Sequence, residues 1–504
     1  MVVANENHPI LRALERASQS GHSYLPTDTL FDLCCERDAD VEPFFKELQR
    51  LEDTGAICQN YDDVYLAEVW EDEEYVARRL VDYLHRPTRR IARPLPIALT
   101  ANGVILNPEQ RRAVEMAERH DLSLIVGCAG SGKSATASAL IEALAIDPKN
   151  ELTLCAPTGK AARNLCDATG YPASTLHRSL RLLFGGGVQE PDALDGKKLV
   201  IVDEAGMMPL HVFAELLRAA PEDCLIVLLG DRNQLQGIGA GNVLPDLLRV
   251  GIPYQTLNTI YRQEDRASAL YANVAGFSSL SRVADLRTDD SFQLVFGTDD
   301  ELRDKLAADA VRCYCSGETA AVITPRKSGV PLSAAELNMR IRERLHPPRA
   351  GTRRLQSGGL ELWDGDQVIV TQNSALRGCF NGDVGTLRIR DGRYDVLLPN
   401  GSASWTDEEL AWRRIPLELA YALTVHRSQG SGYDTVLIPL STAQMRNMLN
   451  RNLLYTAITR AKRRAILYCT VGALDRAIRT PPPYRRSRLV EKVKEYGKAN
   501  RQAC

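Results

Sequence analysis

The stretch Leu122-Ser123-Leu124-Ile125-Val126-Gly127-Cys128-Ala129-Gly130-Ser131-Gly132-Lys133-Ser134 decides the fold. Its aliphatic start reads as a buried parallel strand. The run breaks into a glycine-rich loop and resumes as a helix predicted to end at Pro148. The loop fits G-x-x-x-x-G-K-[ST] in a strand–loop–helix context. Its glycines let backbone N–H groups wrap phosphates without a Cβ clash. Lys133 can reach the β- and γ-phosphates, and the Ser134 hydroxyl can coordinate Mg²⁺. Gly127, Gly130, Gly132, Lys133 and Ser134 are therefore the expected ATP-binding residues.

Outward from this loop, aliphatic runs alternate with helical stretches. Leu152–Cys155, Leu199–Val202 and Cys224–Leu229 read as further strands of one α/β sheet. The strand at Leu199 ends in Asp203-Glu204. Asp203 is placed to hold Mg²⁺, and Glu204 to act as general base on the attacking water. A second strand set, Ala320–Ile323, Thr435–Ile438 and Ala465–Cys469, predicts a second α/β lobe. Between 360 and 415, short strands punctuated by Asp364-Gly365, Asn381-Gly382, Asp391-Gly392 and Asn400-Gly401 predict an inserted antiparallel unit.

The chain has 504 residues, 44% hydrophobic and 25% charged, which suits a multi-domain globular protein and not a collagenous or disordered one. No aliphatic run approaches the ~20 residues of a membrane span, and the first residues do not read as a secretory signal. Twelve cysteines without a Cys-x-x-Cys pair read as reduced thiols in a cytoplasmic protein. Cys128, at a helix N-terminus, is expected to have a lowered thiol pKa and to make ATP turnover sensitive to alkylation. Net charge is −2, but residues 1–75 carry 18 acidic and 5 basic side chains. The basic balance of the remainder permits binding to a phosphate backbone. Val41, Phe44, Phe45, Leu48 and Leu51 predict a helix, and Ala56–Cys58 with Val64–Leu66 a hairpin, in winged-helix order. Its acidity favours a protein-contacting or structural role over duplex binding. Arg86–Pro96 reads as a linker, and the Pro481-Pro482-Pro483 run as the boundary of a basic, helical tail.

From about 105 to 470 the order of motifs resembles superfamily 1 helicases, and among them the RecD-like 5′-to-3′ group. Leu106-Asn107-Pro108-Glu109-Gln110 resembles the adenine-reading segment, with Gln110 on the adenine edge. Ala156-Pro157-Thr158-Gly159-Lys160-Ala161-Ala162-Arg163 and Ser174-Thr175-Leu176-His177 resemble strand-contacting motifs. Gly230-Asp231-Arg232-Asn233-Gln234-Leu235 resembles motif III, where Gln234 senses the γ-phosphate, and Tyr261-Arg262-Gln263 resembles motif IV. There Tyr261 stacks on adenine, or is plain lobe packing, and Arg262 meets the γ-phosphate. Tyr421–Ser431, with Thr424, His426 and Gly430, resembles motif V. Leu454–Ala461 resembles motif VI, with Arg460 as a second arginine finger.

The resemblance implies these roles: catalysis by Lys133, Glu204, Gln234, Arg262 and Arg460; nucleotide contacts from Gln110, Tyr261 and Gly430 beside the loop; and single-stranded DNA held by Pro157, Thr158, Lys160, Arg163, Thr175, His177, Thr424 and His426. His177 also reads as a core histidine. Two RecA-like parallel-sheet lobes are expected at 105–255 and at 256–340 with 416–478. A Src-homology-3-like β-barrel is expected at 341–415, a winged-helix-like unit at 1–80, a linker at 81–104 and a tail at 479–504. Gly206, Gln236 and Gly432 depart from the group's usual Ser, Pro and Glu, and the first two spellings resemble conjugative relaxase helicases instead. Phe184-Gly185-Gly186-Gly187 is either a strand-separating pin or an ordinary loop. The expected function is an ATP-dependent 5′-to-3′ DNA helicase of repair or recombination, monomeric, acting at duplex junctions. A translocase that remodels forks with weak unwinding, or an accessory subunit docked through its N-terminal unit, are the alternatives.

Overall fold

The computed structural model describes residues 8–36, 40–89, 100–101, 104–182, 193–261, 267–347, 351–357, 360–399, 401–412, 415–444 and 448–503. Arg262, the glycine-rich 184–187 segment and residues 90–99 and 102–103 of the linker lie outside them.

The first lobe is a six-stranded, all-parallel sheet. In spatial order its strands are Tyr254–Leu257, Leu122–Gly127, Leu225–Gly230, Leu199–Val202, Leu152–Ala156 and Ala173–Thr175. Side chains alternate across the pleat, so each aliphatic strand feeds two cores. Leu124, Val126, Val200, Val202, Ile226 and Leu228 enter one. Ile125, Leu199, Ile201, Val227 and Leu229 enter the other. Helices cover both faces, which is why these strands are uninterrupted apolar runs. The second lobe has five parallel strands in the order Phe292–Phe296, Ala461–Cys469, Tyr433–Leu440, Ala320–Thr324, Ala422–Thr424. The α/β fold class with two parallel-sheet lobes is thus as expected.

An antiparallel five-stranded sheet is inserted in the second lobe, in the order Gly401–Thr406, Arg393–Leu398, Val384–Arg390, Gln367–Val370, Leu417–Leu419. Its last strand returns directly into the lobe, and Val368, Leu387, Val396 and Trp405 share one core with Leu302, Leu337 and Val322 of that lobe.

The N-terminal unit has helices Pro9–Gln19, Thr27–Cys34 and Val41–Asp53 and a three-stranded sheet with the hairpin Ile57–Asn60/Asp63–Leu66 at one side. Its helical stripe is narrower than the sequence suggested. Phe44, Leu48 and Leu51 are buried, whereas Val41 and Phe45 are exposed, because only one side of this helix meets the sheet. The next helix, Ala67–His85, leaves the unit and packs on Leu210–Ala219 of the first lobe. The last helix, Leu489–Ala503, packs against it. Lys492 sits 3.4 Å from the Trp70 ring centroid and pairs with Glu73 and Glu74, and Arg488 pairs with Asp63. Part of the N-terminal acidity therefore faces the chain's own basic tail. Arg86 and Arg89, in the expected linker, both pair with Asp121 of the first lobe. Among the described residues no helix is long and apolar enough to cross a membrane.

Candidate nucleotide site and strand cleft

The glycine-rich loop leaves the buried strand Leu122–Gly127 and enters the helix Lys133–Leu144. Gly130 and Gly132 have φ of +82° and +86°, left-handed values that glycine adopts without strain. A Cβ on Gly127 would lie 2.8 Å from the Leu257 carbonyl oxygen, and one on Gly132 would lie 2.3 Å from Gln110 Nε2. The cradle therefore admits only glycine at those positions. Lys133 Nζ donates to the carbonyls of Gly127 and Cys128 at 2.8 and 3.1 Å, which holds it across the loop. Gln110 is buried in a capping box: its backbone N–H donates to Asn107, and its Oε1 accepts from Asn107 N–H. Tyr261 joins the same corner, with its N–H on the Gly130 carbonyl at 2.7 Å and its hydroxyl accepting from Asn107 Nδ2 at 2.7 Å.

Asp203 and Glu204 follow the central strand Leu199–Val202. Asp203 Oδ1 accepts from Glu204 N–H at 2.8 Å. Glu204 has φ +51°, a left-handed conformation costing roughly 1 kcal/mol for a side chain with a Cβ. That turn is closed by Met207 N–H on the Glu204 carbonyl at 2.9 Å. A serine hydroxyl at the loop and a carboxylate at the strand end are hard oxygen donors of the kind Mg²⁺ takes beside a phosphate.

The segment after Asp231 joins the lobes. Gln234 is buried, and its Oε1 accepts from Arg460 Nη2 at 3.0 Å. Arg460 is only 2% exposed and also donates to the carbonyls of Thr456 and Ser431. Asn452 and Thr456 of the helix Arg451–Ile458 bond the backbone of Gln234 and Leu235. Tyr455 donates to Asp231 Oδ2 at 3.0 Å, and burial raises the pKa of both groups. The quoted motifs contain Asp231, Tyr455 and Thr456, but their spelling assigns them no contact, and Asn452 lies two residues before the last motif. Cys128 departs from expectation. Its thiol pKa is raised, first by burial and then by the Asp231 charge. It lies five residues before Lys133, beyond the first helical turn to which the dipole's influence is confined.

On the opposite side of these contacts lies a cleft of about 430 Å³. Pro157, Thr158, Lys160 and His177 of the first lobe and His426 of the second line it together. Burial lowers the Lys160 ammonium pKa to about 8, against the opposing charge of Asp383, and lowers the pKa of His177 and His426. Thr158 and Thr175 cap helices, accepting from the backbone N–H of Ala161 and Arg178. Thr424 accepts from Arg427 N–H and borders a neighbouring pocket. Arg163 is turned to the inserted sheet, bidentate to Asp383 at 3.0 and 3.2 Å and stacked over Phe380. Gly430 lies against the helix Gly159–Thr169, its carbonyl accepting from Asn164 at 2.5 Å, so its described contacts are on the strand side. Sequence reasoning missed Gln236, Gly237 and Ile238, and Asn381 with Gly382 from the inserted sheet, all on the cleft wall. From sequence, Asn381-Gly382 reads as a turn of the inserted β unit with no strand contact.

The AAA domain family matches residues 105–276, and the UvrD-like helicase C-terminal domain matches 419–468. The ATP-dependent RecD2 DNA helicase of Deinococcus radiodurans is 34% identical over 399 residues, spanning 78% of this chain and 53% of that protein. The RecBCD enzyme subunit RecD of Mycolicibacterium smegmatis is 28% identical over 456 residues, spanning 80% of this chain and 77% of that one. The chain belongs to the RecD-like group of superfamily 1 helicases. It spans about half the length of the Deinococcus relative. The conjugal transfer protein TraA of Agrobacterium fabrum is also similar to this RecD-like chain, 28% identical over 421 residues that span 79% of the chain and 35% of TraA. Similarity to both kinds of relative fits the mixed spelling at Gly206 and Gln236.

Proposed function

We propose that this chain is an ATP-dependent DNA helicase that moves 5′ to 3′ along single-stranded DNA and separates duplex at junctions. One observation carries the reading. Gln234, bonded to the buried Arg460, is two residues from Gln236, which lines the cleft holding Lys160, His177 and His426. A change at the nucleotide is thus delivered to the strand through a few bonds of one loop. The glycine cradle and Lys133 hold the β- and γ-phosphates. Ser134 and Asp203 would hold Mg²⁺, which offsets phosphate charge. Glu204 orients the attacking water and takes its proton. Gln234 and Arg460 read the γ-phosphate as one unit, and Arg262 is assigned to the same task. On hydrolysis that contact is lost and the grip of the two lobes changes. Thr158, Thr175, Thr424 and the cleft cations would contact phosphate and sugar, which gives no sequence preference. Polarity follows the family.

The test is ATP hydrolysis with and without single-stranded DNA, followed by unwinding of matched 5′-tailed and 3′-tailed duplexes. DNA-stimulated turnover and unwinding from the 5′ tail alone are expected. Stimulated turnover without unwinding supports a translocase or fork remodeller instead. Turnover indifferent to DNA refutes the substrate assignment and returns attention to a protein partner of the N-terminal unit.

A further inference from the structure

The loop Gln236–Gly241 carries the strand-side wall but has little structure of its own. Gly237, Gly239 and Gly241 leave it conformationally free, with φ of +118° and +91° at the last two. Ile238 projects from it with 71% exposure. A few backbone bonds hold it: Gly237 N–H on the Gly206 carbonyl at 3.2 Å, the Ala240 carbonyl accepting from Leu210 N–H at 2.9 Å, and Gly241 N–H on the Gly21 carbonyl at 3.2 Å.

Gln236 Nε2 also donates to Asn242 Oδ1 at 2.6 Å, and a further hold comes from the far end of the chain. Arg485, past the proline run, donates through Nη2 to the Gly237 carbonyl at 2.5 Å and through Nη1 to the carbonyls of Gly241 and Gly239 at 3.0 and 3.5 Å. A planar guanidinium has the fixed fork of donors needed to bridge carbonyls spread over five residues; an ammonium does not. Gly21 makes way for it, since a Cβ there would lie 2.3 Å from Arg485 Nε. The segment around Arg485 is itself fastened. The Arg486 carbonyl accepts from Ser23 N–H at 2.7 Å, Arg486 N–H donates to His22 Nδ1 at 3.1 Å, and the Ser487 hydroxyl donates to Asp246 Oδ2 at 2.9 Å.

We propose that Arg485 is a positioning residue of the motor, a strap from the tail that fixes the Gln236–Gly241 loop so that nucleotide state and strand grip stay coupled. This rests on the strand-cleft reading above. The N-terminal unit, the tail and the loop then act as one body, which gives the acidic unit a role internal to the chain. The test uses the full chain. In Arg485→Ala, amide hydrogen exchange at 237–241 is expected to rise at least about tenfold, and the oligo(dT) concentration that half-saturates ATP turnover to rise about tenfold. The KM for ATP and the DNA-free rate are expected to stay within about twofold, a split that general destabilisation would not produce. Arg485→Lys, which keeps the charge and tail packing, is expected to fold and to move both readouts in the same direction by less. Unchanged exchange at 237–241 overturns the proposal. So does faster exchange with wild-type DNA half-saturation, in Arg485→Ala or, where that variant does not fold, in Arg485→Lys. Absence of DNA stimulation in the wild type refutes the strand-cleft reading instead, and the exchange measurement still decides whether Arg485 holds the loop.

Discussion

Arg460 and Lys160 are both cations drawn into the interior between the lobes, and the protein treats them differently. Arg460 has Nε and both terminal nitrogens bonded to two carbonyls and Gln234. Lys160 faces the Tyr433 ring at 6.0 Å and the Asp383 carboxylate, whose charge is shared with Arg163, and burial pulls its pKa to about 8. The nucleotide side is thus assembled in advance, with the Arg460 guanidinium and the Gln234 side chain bonded within the protein. The strand side keeps a partly compensated cation, for which a phosphate would be the better partner. Pre-organisation suits a site that must stabilise one transition state. A site that grips and releases a polymer each cycle needs contacts that are individually weak.

The largest test of the assembled side is removal of its chemistry. Lys133→Ala is expected to abolish ATP turnover. Glu204→Gln is expected to lower kcat by a hundredfold to ten-thousandfold, on the order of a lost general base, while labelled ATP still binds. Turnover surviving in Glu204→Gln would remove that residue from the base role. DNA binding measured without nucleotide should be nearly unchanged in both, because neither residue lines the cleft.

Arg460→Ala comes next, at about a thousandfold in kcat. It should also lower the unfolding temperature, because it strips donors from buried acceptors at Thr456, Ser431 and Gln234. Arg460→Lys is expected to rescue little, since an ammonium's donors all leave one nitrogen and cannot span acceptors that Nε, Nη1 and Nη2 reach separately. A full-rate lysine variant would show that charge alone matters there and would weaken the contrast with Lys160.

These two sides differed in how legible they were. The glycine cradle, Asp203 and Glu204 lie in short contiguous segments on buried strands, so local pattern with phosphate chemistry is enough to nominate them. Tyr261 and Gln110 meet across 151 positions through Asn107; the resemblance assigns both to adenine, and neither it nor spacing gives the Asn107 contact. The strand cleft draws on six separate segments, and Asn381-Gly382 enters it only because the inserted sheet is pinned to the first lobe by Arg163 and Asp383. Nothing local in either segment encodes that pairing. The sequence reads the tail only as a basic helix, because burial of Lys492 under Trp70 depends on a partner more than 400 positions away.

The strand side gives a smaller, pH-dependent effect. Lys160 is charged below about 8 and loses its proton as pH rises through that value, so its attraction for a phosphate is present at pH 7 and fades by pH 9. Single-strand affinity at fixed salt is expected to fall roughly threefold to tenfold over that interval, and a bound phosphate shifts the fall upward. Lys160→Arg should remove the pH dependence, and Lys160→Ala should remove it while reducing the salt slope by about one. An identical pH profile in wild type and Lys160→Arg would place the titrating group elsewhere and leave the two cations alike.

The smallest effect concerns the assembled side again. Cys128 sits within the phosphate loop, where a thiolate at a helix N-terminus would be reactive. Its surroundings argue the other way. Burial and the neighbouring Asp231 carboxylate both disfavour the thiolate, and the Tyr455 hydroxyl only partly offsets them. The exposed Cys315 should therefore react with N-ethylmaleimide well before Cys128 at pH 7. ATP turnover is expected to stay within about twofold while the exposed thiols are consumed. Peptide mapping during the reaction decides it. Fast labelling of Cys128 in step with loss of turnover would mean that the loop opens readily to solvent, and the nucleotide side would then be less fixed than its hydrogen bonds imply.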